Sequence, residues 1–177
     1  MFARSGAIIL VLILTLLLSS CGLFVWQEYS SAGGSFAVQF PGKPEQQTDT
    51  IATAVGEIEL ITVVAEGGKS TAYFAAYSDY PPEIIELSGA RRMLENSREI
   101  AIKSQGATLL REHKIALGGN PGLEFVAEFE IEGTAALLKA RSYLVRNRLF
   151  QTSVLALEGA ESLADIDRFL KSFRLLH

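Results

Sequence analysis

The chain opens with an apolar run that no globular core can use. Residues 7–26 are 20 consecutive positions without a charge, and the chain's only cysteine, Cys21, lies inside them. A run of that length is enough to span a bilayer, so a water-soluble fold has to be built from the residues after it. The single cysteine also removes any intramolecular disulfide from the options. Of the 177 residues 49% are hydrophobic, and 14 of those fall in the first 20 positions. A chain starting at Cys21 keeps 157 residues and loses one charge, Arg4, which leaves 15 Lys+Arg against 20 Asp+Glu and a net charge of −5. That length suits one domain, and a domain of this size buries roughly two-thirds of its unfolded surface, so its core needs no disulfide or metal. An acidic body lacks the basic face that a general nucleic-acid binder needs.

The first residues read as a targeting segment: Arg4 supplies a positive charge, residues 7–17 an apolar stretch, and Leu18-Ser19-Ser20-Cys21 its end. These last four residues resemble the lipobox of bacterial lipoproteins. The resemblance implies cleavage before Cys21, then acylation of its sulfur and of its new amino group. Two or more acyl chains anchor stably, since each buried methylene adds about 0.8 kcal/mol. The expected organisation is a signal peptide over residues 1–20, a lipidated Cys21 with a flexible tether over residues 21–35, and a single domain over residues 36–177. The alternative is an uncleaved, single-pass signal anchor carrying the same domain. Under both readings Arg4 stays inside and the body lies outside the cytoplasm, in the cell envelope. Gly22 stands where an aspartate would resemble an inner-membrane retention signal, so an outer-membrane destination is expected in a source with two membranes. The quartet Leu23-Phe24-Val25-Trp26 suits the membrane interface and equally suits packing on the domain. Residues 27–35, polar with Gly33-Gly34, read as the tether.

From Phe36 strand signals dominate. Phe36-Ala37-Val38-Gln39-Phe40 alternates until Pro41-Gly42-Lys43-Pro44 breaks it. Residues 47–55 and 57–65 are the next strands, hinged at Gly56, and residues 71–78 a fourth. In that fourth strand Tyr73, Ala75 and Tyr77 share one face and Phe74 and Ala76 the other, a pattern that predicts a sheet covered on both sides. A helix comes next, capped by Ser88 and ended by Gly106, with a buried stripe of Ala90, Met93, Leu94, Ser97, Ile100 and Ala101. Its charges, Arg91 with Glu95 and Glu99 with Lys103, read as a solvated face. Strand signals resume over residues 107–117, with a turn at residues 118–122. Glu132-Gly133 reads as a two-residue hairpin turn that pairs Ile131 with Thr134, Phe129 with Ala136 and Glu124 with Arg141. That register gathers Phe125, Ala127, Leu138 and Ala140 on one face and Glu124, Glu128, Glu130, Lys139 and Arg141 on the other. Arg146-Asn147-Arg148 turns into a strand over residues 149–157. A final helix begins with Ser162 and Asp165 in capping-box spacing and buries Leu163, Ile166, Phe169, Leu170 and Phe173, with Asp167 paired to Lys171.

Chemistry is sparse. His113 sits in the strand-like Arg111-Glu112-His113-Lys114-Ile115 and His177 at the end, and neither has a local metal-ligand spacing. Nucleophile elbow, P-loop and dinucleotide fingerprints are missing from the sequence, and the glycine pairs read as turns. Tyr73, Tyr77, Tyr80 and Phe150 read as core or groove lining; Asp79 and Glu83 are carboxylates that folding could bring together. No catalytic, cofactor or metal residue is assigned.

The body resembles the PsbP-like superfamily, which includes a photosystem II extrinsic subunit, a nuclear-import factor that binds Ran, and bacterial lipoproteins. The resemblance rests on Phe36-x-Val38-x-Phe40-Pro41-Gly42-Lys43-Pro44, Tyr77-x-Asp79-Tyr80-Pro81, Asn120-Pro121-Gly122-Leu123-Glu124, Asn147-Arg148-Leu149-Phe150 and Phe169-x-x-Ser172-Phe173. It implies an α+β fold, a mostly antiparallel sheet with helices on both faces, used for docking without catalysis. The expected function is therefore a lipid-anchored extracytoplasmic binding or assembly module, attached to the membrane through Cys21 and serving a protein partner of the envelope. The rival is a small-ligand carrier or hydrolase whose site is assembled from distant residues.

Overall fold

The computed structural model describes residues 25–53, 56–68, 70–160 and 162–176. Cys21, the expected signal segment and His177 lie outside the described residues. Within them the order is β1 (Trp26–Ser31), β2 (Phe36–Pro41), β3 (Glu45–Thr53), β4 (Gly56–Glu66), β5 (Thr71–Asp79), α1 (Pro82–Gln105), β6 (Thr108–Leu117), β7 (Asn120–Ile131), β8 (Thr134–Val145), β9 (Arg148–Leu157), α2 (Leu163–Ser172) and β10 (Arg174–Leu175). Seven strands form one antiparallel sheet in the order β3-β4-β5-β9-β8-β7-β6, and β1-β2-β10 form a second, small one. The fold is α+β, with α1 on one face of the large sheet and α2 with the small sheet on the other.

The expected tether is instead largely strand. β1 pairs with β2 along its whole length, from Trp26 opposite Pro41 to Ser31 opposite Phe36. Two aromatics in an otherwise polar stretch hold it down. The Trp26 ring meets Tyr73 edge-on at 5.9 Å, and Tyr29 lies 6.1 Å from Phe36 and 6.2 Å from Phe40. The Arg168 guanidinium lies over the Trp26 ring at 4.5 Å. Of the apolar quartet, then, Trp26 packs on the domain while Val25 is 72% exposed.

The main core lies between the large sheet, β2 and α2. Phe36, Phe40, Phe169 and Val154 are fully enclosed, and Phe36 stacks on Phe173 at 5.4 Å. The expected hairpin register holds at every pair, including Glu124 opposite Arg141. Glu132 and Gly133 have φ of 51° and 79°, the left-handed pair that a type I′ turn requires. The turn expected over residues 118–122 is shorter. Gly118-Gly119 alone reverses the chain, and Pro121 and Gly122 sit inside β7, paired to β6. Pro121 is tolerated because β8 pairing starts only at Gly122, so its missing N–H costs no ladder bond there.

Both helices depart in part from their expected stripes. α1 begins at Pro82, and Gly89, at φ 75° and ψ 153°, breaks it into a short first segment and a regular body. Ser88 thus stands at an internal break and not at the start. Met93, Leu94 and Ser97 are buried as expected, on β7, β8 and the Leu149 and Gln151 positions of β9, but Ile100 is 66% exposed. Phe74 and Ala76 on β5, beyond the strands that α1 packs on, are only partly covered, against the expectation of a fully covered face. In α2 the Asp165 N–H donates to Ser162 Oγ at 3.2 Å, and Ile166, Phe169 and Leu170 are buried. Leu163, one turn too early to reach the sheet, is 70% exposed.

Candidate docking cleft

β1 runs away from the point where residue 25 joins the domain, and β2 returns to it, which gives the molecule two poles. Near residue 25 are Trp26, Phe40 and Tyr73; at the far end Phe36 meets Tyr77 at 6.1 Å and Phe150 at 6.0 Å. The far pole opens into a cleft of 760 Å³ bordered by Asp79, Asn120, Arg146, Asn147, Arg148 and the Gly34-Ser35 backbone.

Pairing of β5 with β9 places Asp79 opposite Arg148. The Arg148 guanidinium donates Nε to Asp79 Oδ1 at 2.7 Å and Nη2 to Oδ2 at 2.6 Å, a bidentate fork. Its Nη1 donates to the Gly33 carbonyl at 2.8 Å, and its plane lies 4.6 Å from the Tyr77 ring. The hydrogen bonds that it donates to Asp79 hold the guanidinium's pKa further above its ordinary range. One side chain thus ties the turn after β1 to the ends of β5 and β9. Beside it the Asn147 amide donates to the Tyr80 carbonyl at 3.0 Å and the Tyr80 N–H donates to the Asn147 carbonyl at 2.9 Å. Asn120 braces its own turn, donating to the Leu117 carbonyl at 3.0 Å.

Three of the sequence stretches that carry the family resemblance, around Asp79, Asn120 and Arg148, therefore meet at this pole. Most of what they do is architectural. A Cβ on Gly122 would lie 2.5 Å from the Tyr143 ring and 2.7 Å from the Ser142 carbonyl, so glycine is required there. The stretch ending at Phe173 is architectural too, since the Gln39 N–H donates to Ser172 Oγ at 2.9 Å. Two lining residues are different. Ser35 and Arg146 hold φ of 55° and 56° without being glycine. Such a conformation costs about 1–2 kcal/mol for a residue with a Cβ. Arg146 makes no ion pair with any described residue. Sequence reading missed both, because a positive φ in a non-glycine residue leaves no composition signal.

Of the other candidates, His113 lies on the edge strand β6 with 56% of its side chain exposed and Nε2 3.5 Å from Glu124 Oε1. Glu124 is buried and receives the Arg141 Nε at 2.5 Å, while Arg141 Nη1 reaches the Leu170 carbonyl at 3.3 Å. Glu124 and Arg141, read as surface strand charges, are thus an inward-facing pair that joins the sheet to α2. Asp79 is taken by Arg148, and Glu83 is exposed in the first turn of α1, so the two carboxylates do not form a pair. Tyr73 and Phe150 are core, Tyr77 and Tyr80 line its margins, and burial pushes the Tyr73 hydroxyl up to about 12. Among the described residues no three of His, Cys, Asp and Glu converge as a metal site would need, and no helix is long and apolar enough to cross a membrane.

The sequence matches no protein-family model, and none of the curated proteins matches it either. Solved structures do match. The solution structure of cyanobacterial PsbP (CyanoP) from Synechocystis aligns with a TM-score of 0.59 at 14% identity, covering 88% of this chain and 95% of that one. A crystal structure from Bacteroides thetaiotaomicron aligns at 0.50 with 12% identity over 85% of this chain, which spans 48% of that longer protein. LpqN, involved in cell envelope biogenesis of Mycobacterium tuberculosis, aligns at 0.45 with 14% identity, covering 86% of this chain and 92% of that one. At these identities the likeness concerns architecture alone, and the architecture of this chain is the PsbP-like fold.

Proposed function

We propose that the protein is a lipid-anchored, non-enzymatic docking module of the cell envelope, tethered through Cys21 and presenting its far pole to a protein partner. The observation that carries this reading is the opposition of the two poles. β1 begins at Trp26, so Val25 stands only four residues after Cys21, and four extended residues reach at most about 14 Å. An acylated Cys21 would hold the near pole against the headgroups. The six-residue β1 rises about 20 Å away from it, which aims the cleft of Arg146, Asn147 and Arg148 away from the membrane. A strained Arg146 whose guanidinium has no ion-pair partner among the described residues suits an acidic or carbonyl-rich protein surface better than it suits the fold.

Replacing Cys21 by alanine and fractionating the cells tests the anchor. The expected result is loss of acyl-chain labelling and accumulation of an uncleaved precursor. Continued cleavage with normal acyl labelling overturns it, and an intact Met1 on the wild-type membrane protein assigns the single-pass anchor instead. Arg146→Glu tests the cleft: crosslinked partner is lost while the fold is kept, and an unchanged crosslink refutes docking there.

A further inference from the structure

α1 rests mainly on β7 and β8 and reaches β9 at Leu149 and Gln151, so it covers only part of its face of the seven-stranded sheet. On that same face β9, β5 and β4 present Leu155, Ser153, Phe74, Ala76, Val64 and Leu60, all partly exposed. A groove of 240 Å³ separates this floor from the α1 flank at Ala101, Ser104 and Gln105. Strands spaced about 4.8 Å apart make the open floor of β5, β4 and β3 roughly 10 Å across between its outer axes, which matches about 10 Å for a helix with its side chains. One helix fits beside α1 at the usual interaxial distance of about 8–10 Å.

The far rim sets the charge of the occupant. Glu45 pairs opposite Val64, Asp49 opposite Leu60 and Glu66 opposite Ala72, so all three exposed carboxylates stand on this face. β3, β4, β5 and β9 place no lysine or arginine on it, and none of the three carboxylates has an ion-pair partner among the described residues. Among the described residues a second copy of the chain supplies no suitable helix. α2 spends its apolar stripe on its own core, and α1 spends Met93 and Leu94 likewise. Anionic lipid is disfavoured by the same carboxylates, and the face runs from pole to pole, not across the near pole.

We propose that this open half-face docks an amphipathic helix of a partner protein, its apolar stripe covering Phe74, Val64 and Leu155 and its basic flank meeting Glu45, Asp49 and Glu66. The surface is separate from the far-pole cleft, and the proposal stands on the uncovered strands and the uncompensated rim.

The test uses the full chain in lipid nanodiscs and a fluorescent 18-residue Leu/Lys amphipathic helical peptide, with empty nanodiscs as the reference. A scrambled Leu/Lys peptide and a Leu/Glu helix are the controls. The expected result is saturable one-to-one binding of the Leu/Lys helix alone, weakened about tenfold or more by Phe74→Glu. Because Phe74→Glu sits on a strand, Asp49→Lys, an exposed change that spares the fold, is the second variant; it weakens binding and leaves the unfolding curve where it was. Equal binding of the scrambled or Leu/Glu peptide, or no response to either variant, overturns the proposal. So does self-association abolished by Phe74→Glu, which assigns the face to a second copy, or lipid protection of Phe74, which assigns it to the membrane. Arg146→Glu leaves peptide binding unchanged, so loss of the cleft's partner and loss of the helix site are read separately.

Discussion

Arg148→Met removes three interactions at once and leaves an unbranched stem to lie on Tyr77. The bidentate pair with Asp79 contributes about 1 kcal/mol, since the Arg148 side chain is 24% exposed and that of Asp79 50%, which lets water screen the pair. The charge-assisted bond to the Gly33 carbonyl adds about 1 kcal/mol, and the guanidinium over the Tyr77 ring about 0.5 kcal/mol. The expected loss is about 2.5 kcal/mol, or about 5–10 °C in Tm for a domain of this size. Asp79→Asn removes the ion pair alone and costs about 1 kcal/mol, because Arg148 keeps its bond to Gly33 and its ring contact. Urea unfolding of the full chain in mild detergent, followed by near-ultraviolet circular dichroism, reads both. The reasoning is refuted if Arg148→Met costs no more than Asp79→Asn, for then Arg148 does not tie the β1 turn to the sheet.

Gly122→Ala pushes a methyl group into the Tyr143 ring and the Ser142 carbonyl, and thermal unfolding should record a loss of about 1–3 kcal/mol. Glu124→Gln strips the charge from a buried carboxylate and leaves the Arg141 guanidinium under-compensated, at a cost of about 3 kcal/mol, whereas Glu128→Gln on the exposed end of β7 stays within about 0.5 kcal/mol. Hydrogen bonds from the Lys139 and Lys171 ammonium groups hold Asp167 at about 2, down from 3.8. Its folded-state value lies below its unfolded one, so the stabilisation is present above about pH 4 and fades as the pH falls toward 2. With 41% of the carboxylate side chain exposed, that contribution stays under about 1 kcal/mol. Asp167→Asn should flatten stability against pH across this window, and an unchanged acid limb refutes the assignment.

Local and pairwise features were the legible ones. The β7–β8 register follows from a two-residue Glu132-Gly133 turn and from opposite charges that must face each other, so Glu124 falls opposite Arg141 both in the pattern and in the fold. The α2 cap follows from Ser162, whose oxygen has one obvious use. What the pattern hid depends on contacts across the chain. β1 is polar except for Trp26 and Tyr29, and their partners Tyr73, Phe36 and Phe40 are distant in sequence or on another strand, so the stretch passes for a tether. Ile100 keeps helical phase with Met93 and Ser97, yet α1 covers only part of the seven-stranded sheet and leaves it in water. The far-pole cleft is the extreme case. Asp79, Arg148 and Gly33 come from three separate elements, and Arg146 is conspicuous only through its backbone angle.

A photo-crosslinking amino acid placed at Asn120, in the far-pole cleft, and in parallel at Val25, on the near pole, tests most directly whether the molecule is held at one pole and docks at the other. In intact cells the account predicts a protein adduct of defined size from position 120 and lipid adducts from position 25. Lipid adducts from position 120, or a protein adduct confined to position 25, would contradict it.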